Sequence, residues 1–444
     1  MRGTLQHPAR LLPIAFLVAI AASTLLLLLP AARADPQGST SLVTALFTAT
    51  SAICVTGLIV VDTGFWSDFG HAVIIGSVHV GGYGIMTAAT LLALLVARRL
   101  GVRTRLLATT EGRSLDMANI KGVLLRVALI QLAFEAAVAI PITLRWWWSY
   151  GQSFQEALWN GVFHGISAFN NGGFSLFSDS MERFVGDWWI CLPIAVGVVA
   201  GSLGFPVLIE LGRQVVRRSR SSVHLLLTVV GSGILLVVGV LALLVIEWSN
   251  PDTFGPLPIM EKLLAAFFNG AMPRSGGFNS VDYSSMQPES IAITHGLMFI
   301  GGGSASTAGG IKVATFFLLA YVIWSEIRGE PDVVVARRRI AGAAQREALS
   351  VALLSVALVA VGVLALESLS DGFPFEYLMF DAISAFATVG LSTGVTMQVP
   401  APAQLVLAAM MFIGRVGPVV LATGIALNTR QRLYRYPQER PIVG

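Results

Sequence analysis

The sequence predicts an all-α integral membrane protein, with four M1–pore loop–M2 repeats around a pseudo-fourfold central pore. M1 and M2 are spanning helices; a pore loop is a short re-entrant helix and the glycine-bearing stretch after it. Three observations carry the prediction. Only 12% of the 444 residues are charged and 55% are hydrophobic, with a mean hydropathy of +0.74, whereas soluble domains run at about 25% charged. Apolar runs of bilayer length recur along the chain, with shorter apolar segments between them. One short glycine-bearing motif returns four times, at near-quarter intervals. These features exclude a soluble enzyme or a nucleic-acid binder. The pI near 9.3 reflects Arg clusters between apolar runs, the pattern of cytoplasmic loops. Cys54 and Cys191 both lie in apolar stretches, so no disulfide framework is available.

A bilayer core of ~30 Å takes ~20 apolar residues as helix. The first such run is Leu11–Leu29. With Arg2 and Arg10 before it and Ala32-Arg33-Ala34 after it, it resembles a signal peptide. It is longer than the usual apolar region of one, and cleavage would delete the first helix of a repeat, so it is read as the first span. Phe69–Ala97, Val127–Leu144, Trp188–Ile209, Leu225–Ile246, Ile291–Ser325, Ala348–Leu366 and Pro402–Thr429 complete eight expected spans. Leu42–Ile53, Phe154–Phe169, Glu261–Ala271 and Phe375–Ala387 are apolar but too short to cross. Each lies between two spans, as re-entrant helices do. Placing the N-terminus inside puts most of the 29 basic residues on the cytoplasmic side, in Arg98–Arg126, Arg213–Arg220, Arg328–Arg346 and the tail from Arg430. Both termini are therefore expected in the cytoplasm of a multi-pass cell-membrane protein. The expected units are 1–98, 99–218, 219–340 with a broken M2, and 341–429, followed by a cytoplasmic tail, 430–444.

The repeat is visible in the residues. Ser51-Ala52-Ile53-Cys54-Val55-Thr56-Gly57-Leu58 matches Ser167-Ala168-Phe169-Asn170-Asn171-Gly172-Gly173-Phe174 and Ser384-Ala385-Phe386-Ala387-Thr388-Val389-Gly390-Leu391. Ala271-Met272-Pro273-Arg274-Ser275-Gly276-Gly277-Phe278 is a weaker fourth copy. One copy alone would read as a glycine turn before a helix. Four at matched depth read differently, because non-helical backbone inside a membrane is tolerated only where it is buried in protein or lines a water-filled path. Glycine lets each loop present carbonyl oxygens in conformations closed to other residues. Rings of carbonyls replace the hydration shell of K+ in channel filters, and Thr388-Val389-Gly390-Leu391 reads like their Thr-Val-Gly-Tyr run. Half-helices aiming their partially negative C-terminal ends at the axis favour a cation. The expected filter is therefore Val55, Thr56 and Gly57; Asn171, Gly172 and Gly173; Ser275, Gly276 and Gly277; and Thr388, Val389 and Gly390, with K+ as its ion.

On these motifs, together with Gly301–Lys312 and Ser384–Thr393, the chain resembles the Trk/Ktr/HKT superfamily of potassium-translocating proteins over essentially its whole length. The KtrB branch is the better match, since TrkH relatives carry two extra N-terminal helices. The resemblance implies a homodimer whose protomers each hold a pore. It also implies gating by a cytosolic ring of nucleotide-binding RCK subunits (KtrA-like), and K+ uptake that is often Na+-dependent. No organic cofactor is implied on this chain. The second filter reads Asn-Gly-Gly where the family has Asn-Ala-Gly, the third Ser-Gly-Gly where it has Thr-Ala-Gly, and Ser304-Ala305 replaces a usual Pro-Gly. The filter glycines stay in place.

Other constellations carry less. Gly301-Gly302-Gly303-Ser304-Ala305-Ser306-Thr307-Ala308-Gly309-Gly310-Ile311-Lys312 fails as a phosphate loop, because Lys312 does not directly follow a glycine and no Ser or Thr follows it. So many small residues in mid-span predict a broken helix and a gate below the filter; the other reading is a close-packed helix interface. Arg415 lies in mid-span, where a buried Arg costs at least ~2.5–3.5 kcal/mol, so it should face the bundle interior. It is expected either in the pore below the filter, with the gate, or in an ion pair with a carboxylate such as Glu135. Asp62, Asp179 and Asp282 follow their filters and either concentrate cations at the outer mouth or are solvated loop acids. Trp146-Trp147-Trp148 and Gln152–Trp159 read as an interfacial aromatic belt. The histidines show no ligand spacing and no catalytic set appears, which leaves a membrane enzyme as the weakest reading. An alternating-access transporter is the stronger rival to a gated pore, but such folds pair inverted repeats with paired broken helices.

Overall fold

A computed structural model describes residues 8–35, 37–99, 120–217 and 221–427. The helices are α1 (Pro8–Leu27), α2 (Leu42–Ile53), α3 (Asp68–Arg99), α4 (Ile120–Ser149), α5 (Phe154–Phe169), α6 (Trp188–Leu203) and α7 (Phe205–Arg217). They continue as α8 (Val223–Glu247), α9 (Ile259–Ala271), α10 (Pro288–Phe299), α11 (Val313–Ile327), α12 (Gly342–Leu369), α13 (Phe375–Phe386) and α14 (Ala401–Leu427). One short hairpin, β1 (Val334–Val335) with β2 (Arg338–Arg339), follows α11 and was not expected from the sequence.

Among the described residues, four unbroken helices are long and apolar enough to cross a membrane: Asp68–Ala88, Leu124–Ser149, Val223–Glu247 and Gly342–Leu369. Leu11–Leu27 and Ala401–Gly417 are shorter apolar helices. The run Ile291–Ser325 is broken as expected, into α10 and α11. Trp188–Ile209 is a correction: it was expected as one span, yet α6 and α7 meet at 100°. Gly204 sits at the break with φ +88°, a backbone that glycine adopts without strain. Pro206 then falls in the first turn of α7, where its missing N–H costs nothing.

The four short helices α2, α5, α9 and α13 each lead into one of the glycine loops. Ser41 caps α2 by accepting from the Thr44 N–H, and Ser153 forms a reciprocal capping box with Glu156 on α5, which satisfies donors that a helix start would otherwise strand. The far ends are buried: Ala52, Ala168, Ala271 and Ala385 are fully shielded. α1 packs on α2, α3 and α14, and α4 lies along α5. The second contact is close because Gly161 and Gly165 face α4; a Cβ on Gly165 would lie 2.8 Å from the Glu135 carbonyl oxygen. Trp147 and Trp148 are exposed, consistent with a belt, but Trp146 is fully buried against His164, Phe177 and Phe184. That residue belongs to the core.

Candidate ion pathway

Three of the four short helices end in the same local geometry. Hydrogen bonds from the N–H groups of Val55, Asn171 and Thr388 to the carbonyls of Ala52, Ala168 and Ala385 close the last turn, each at 3.1 Å. A second bond runs from Thr56 to Ser51 (2.8 Å), from Gly172 to Ser167 (2.6 Å) and from Val389 to Ser384 (2.8 Å). In the third loop, the weakest copy in sequence, it runs from Gly276 to Met272 (2.7 Å), one residue shorter.

The chain then alternates in handedness. Val55, Asn171, Ser275 and Thr388 have φ of 55°, 60°, 69° and 47°, and two residues on Gly57, Gly173, Gly277 and Gly390 have 94°, 68°, 72° and 95°. β-Branched Val55 and Thr388 are outliers there, at a cost of about 1–3 kcal/mol each that the surrounding structure must over-determine. The serine hydroxyls help: Ser51 Oγ accepts from the Gly57 N–H and Ser384 Oγ from that of Gly390, each at 3.1 Å.

The four glycines close on one another. A Cβ on Gly57 would stand 2.6 Å from the Gly172 carbonyl oxygen, one on Gly173 2.8 Å from the Gly277 Cα, and one on Gly277 2.8 Å from the Val389 carbonyl oxygen. One on Gly390 would collide with the Thr56 carbonyl oxygen. All twelve residues expected to form a filter thus sit in four backbone segments that meet around one axis.

Sequence reasoning missed the braces behind these loops. His164 Nε2 meets Ser175 Oγ at 3.1 Å, Asn269 Nδ2 donates to Ser280 Oγ at 2.8 Å, and Asp381 accepts from Ser392 Oγ at 2.8 Å and the Thr396 N–H at 2.9 Å. The signal was a polar residue in the middle of an apolar short helix.

The segment Gly301–Lys312 is loop, which removes the close-packed helix reading. It touches three of the four glycine loops. Thr307 Oγ1 donates to Asn171 Oδ1 at 2.7 Å, and the Gly309 N–H donates to Ser275 Oγ at 3.1 Å. Ser275 Oγ itself donates to the Thr388 carbonyl at 2.8 Å. The Gly303 N–H reaches the Ser202 carbonyl at 2.7 Å, and a Cβ on Gly204 would lie 2.7 Å from the Ser304 carbonyl oxygen. The two broken spans therefore pack break against break. Lys312 Nζ donates to the Ala308 carbonyl at 2.7 Å. Arg415 is 3% exposed; its Nη1 donates to the Thr307 carbonyl and lies 3.4 Å from Thr388 Oγ1. Its Nε and Nη2 have no hydrogen-bond partner among the described residues. The ion pair with Glu135 does not form, because Glu135 instead takes His79, Gln131 and Asn170.

Beyond their glycine loops in the chain, the three aspartates are tied down locally. Asp62 and Asp282 cap the turns after their loops through the Gly64 N–H (2.7 Å) and the Ser284 N–H (2.9 Å). Asp179 pairs with Arg183 at 2.7 Å; burial acts to raise its carboxyl, but the hydrogen bonds and charge of Arg183 outweigh that and hold it below its ordinary value. Glu182, unmarked in the sequence, receives Asn279 Nδ2 at 2.8 Å. Burial, then the charges of Asp282 and Asp179, push its carboxyl up to about 7. The basic segment 100–119 and the tail 428–444 lie outside the described residues.

A family model described as TrkH, cation transport protein, matches residues 12–431. The chain is 37% identical over 439 residues to the Ktr system potassium uptake protein B of Bacillus subtilis (strain 168), covering 98% of this chain and 97% of that protein. It is 35% identical over 441 residues to the protein of the same name from Vibrio alginolyticus, covering 98% and 94%. Its fold matches the crystal structure of the potassium transporter TrkH from Vibrio parahaemolyticus with a TM-score of 0.67 over 94% of this chain and 85% of that one, at 18% identity. The all-α architecture, the four converging glycine loops and these matches together place the chain in the Trk/Ktr/HKT superfamily of membrane cation transporters, among its KtrB-like members.

Proposed function

We propose that the chain is the K+-translocating membrane subunit of a gated potassium uptake system, conducting K+ through backbone carbonyls of its four glycine loops. The observation that carries this reading is the shared alternation of handedness. Each loop places a left-handed residue two positions before a left-handed glycine, and backbone flipped at every second residue turns successive carbonyls towards one side, as a carbonyl filter requires. The relatives named potassium uptake proteins support K+ as the ion, and a relative named potassium/sodium uptake protein supports Na+ as a second ion. The filter residues are Val55–Gly57, Asn171–Gly173, Ser275–Gly277 and Thr388–Gly390. The gate is the Gly301–Gly310 loop with Lys312 and Arg415.

The functional units are 1–98, 99–218, 219–340 and 341–429. Both termini are cytoplasmic, and the tail 430–444 and basic loops dock a KtrA-like ring on a homodimer. An alternating-access carrier would want broken helices in symmetric positions about a midplane site. The second break, at Gly204, packs directly on the first, at 301–312, and so supports one gate region. Flux in proteoliposomes tests the proposal: a filter-bearing pore dissipates an imposed K+ gradient, whereas saturating, strictly exchange-coupled flux would overturn it.

A further inference from the structure

We propose that Glu135 is a positioning residue for ion selection, holding the second glycine loop in place through Asn170. The inference rests on the filter reading above. Three positions before the filter glycine the four loops carry Cys54, Asn170, Arg274 and Ala387, so the second alone has a side-chain amide there. Asn170 is fully buried. Its Nδ2 donates to Glu135 Oε1 at 2.7 Å and to the Ile166 carbonyl at 2.9 Å, while its Oδ1 accepts from Gln131 Nε2 at 2.9 Å.

The same Glu135 oxygen accepts from Gln131 Nε2 at 3.0 Å and has His79 Nδ1 at 3.0 Å. One carboxylate oxygen thus joins α3, α4 and the loop. Glu135 is 5% exposed and Gln131 1%. A buried carboxylate is costly unless its lone pairs are satisfied, and hydrogen bonds to an ionised acceptor are roughly twice as strong as neutral ones. The amide is therefore held firmly, and the packing leaves it little room. A Cβ on Gly82 would collide with Asn170 Oδ1, and Phe134 stacks on Phe169 at 5.1 Å.

What Asn170 fixes is the start of the filter segment. Asn171 follows it with φ 60°, and its own amide donates to the Arg274 carbonyl at 3.1 Å and accepts from Thr307. Moving Asn170 would shift the left-handed turn and re-aim the carbonyls from Asn171 to Gly173. Loss of the carboxylate should relax discrimination between K+ and Na+ while leaving a conducting pathway.

The test is competitive K+ and Na+ uptake by the purified full-length protein in proteoliposomes. Glu135→Gln should lower the K+/Na+ preference by about tenfold, the size of one lost charge-assisted hydrogen bond, with K+ flux retained. Phe134→Leu removes the stacking on Phe169 but no hydrogen bond of the network and should leave the preference within about twofold of wild type, whereas a role in packing alone would lower it as Glu135→Gln does. Asn170→Leu should reproduce the loss, and decides the matter alone if Glu135→Gln fails to insert. Gly173→Ser is run in parallel to separate the two readings. If Gly173→Ser lowers the preference and the Glu135 and Asn170 variants leave it within about twofold of wild type, the positioning role is overturned and the filter stands. An equal loss in Phe134→Leu also overturns the positioning role. If Gly173→Ser has no effect either, the filter reading itself has failed.

Discussion

Placing a methyl group on Gly390 should cost the transporter its choice of ion before it costs the fold. The residue has φ +95°, beyond the small left-handed region that other residues visit. Gly390→Ala therefore carries about 1–3 kcal/mol of backbone strain. The added Cβ would also collide with the Thr56 carbonyl oxygen and stand 3.0 Å from the Gly277 Cα and 3.2 Å from the Gly57 Cα. All three neighbours are backbone atoms of the other loops, so relief must come from moving the carbonyls. If the strain is released by relaxing the ring, preference between ions falls by a similar free energy, and each 1.4 kcal/mol is about tenfold. A loss between about fivefold and a hundredfold in K+/Na+ preference is expected from competitive uptake in proteoliposomes. Gly76→Ala is the matched control, because a Cβ there meets nothing within 4 Å and alanine favours the helix. An unchanged preference in correctly inserted Gly390→Ala, or an equal loss in Gly76→Ala, would refute the reasoning.

Three further outcomes are expected. Arg415→Ala, and separately a shortened Gly301–Gly310 loop, should each raise partner-free K+ flux without altering selectivity; wild-type flux in both variants would remove the gate assignment, and a rise in the Arg415 variant alone would keep the charge barrier and discard the loop. Deleting Arg430–Gly444 should lower co-purification with a KtrA-like protein, and an unchanged yield counts against the tail as a docking element. Glu182, pushed up to about 7, holds its proton below that pH and gains charge above it. K+ capture at low K+ should therefore rise from about pH 6 to about pH 8, and Glu182→Gln should flatten that slope; a slope unchanged in the variant assigns it to another group.

The spans and short helices were legible because each is a local property of composition: α5 begins and ends at Phe154 and Phe169, where the apolar run does. The glycine loops were legible because the motif recurs. The break at Gly204 was hidden by its neighbours, since Val-Ala-Gly-Ser-Leu-Gly reads as continuous apolar helix, and only the following Phe205-Pro206 marks the turn. The Glu135 network was not legible at all. Gln131 and Glu135 are one helical turn apart, but His79 and Asn170 lie far from them in sequence, and only the packing of α3, α4 and α5 brings the four together. Trp146 was misplaced for a related reason: three consecutive helical residues point in different directions, so one of them faces inward while its neighbours meet lipid.

Joining four related loops in one polypeptide has a genetic consequence. In a ring of four identical chains, one codon change alters every loop at once, and any departure from symmetry is forbidden. Here a change touches a quarter of the ring. Cys54, Asn170, Arg274 and Ala387 occupy one equivalent position with four different chemistries. The third unit has loop in place of a continuous helix at 301–312, the second is broken at Gly204 and carries the amide tether, and the first and fourth share the serine brace on the glycine N–H. Fusion lets the quarters differ, so that a change of backbone or side chain in one of them leaves the sequence of the other three loops as it was.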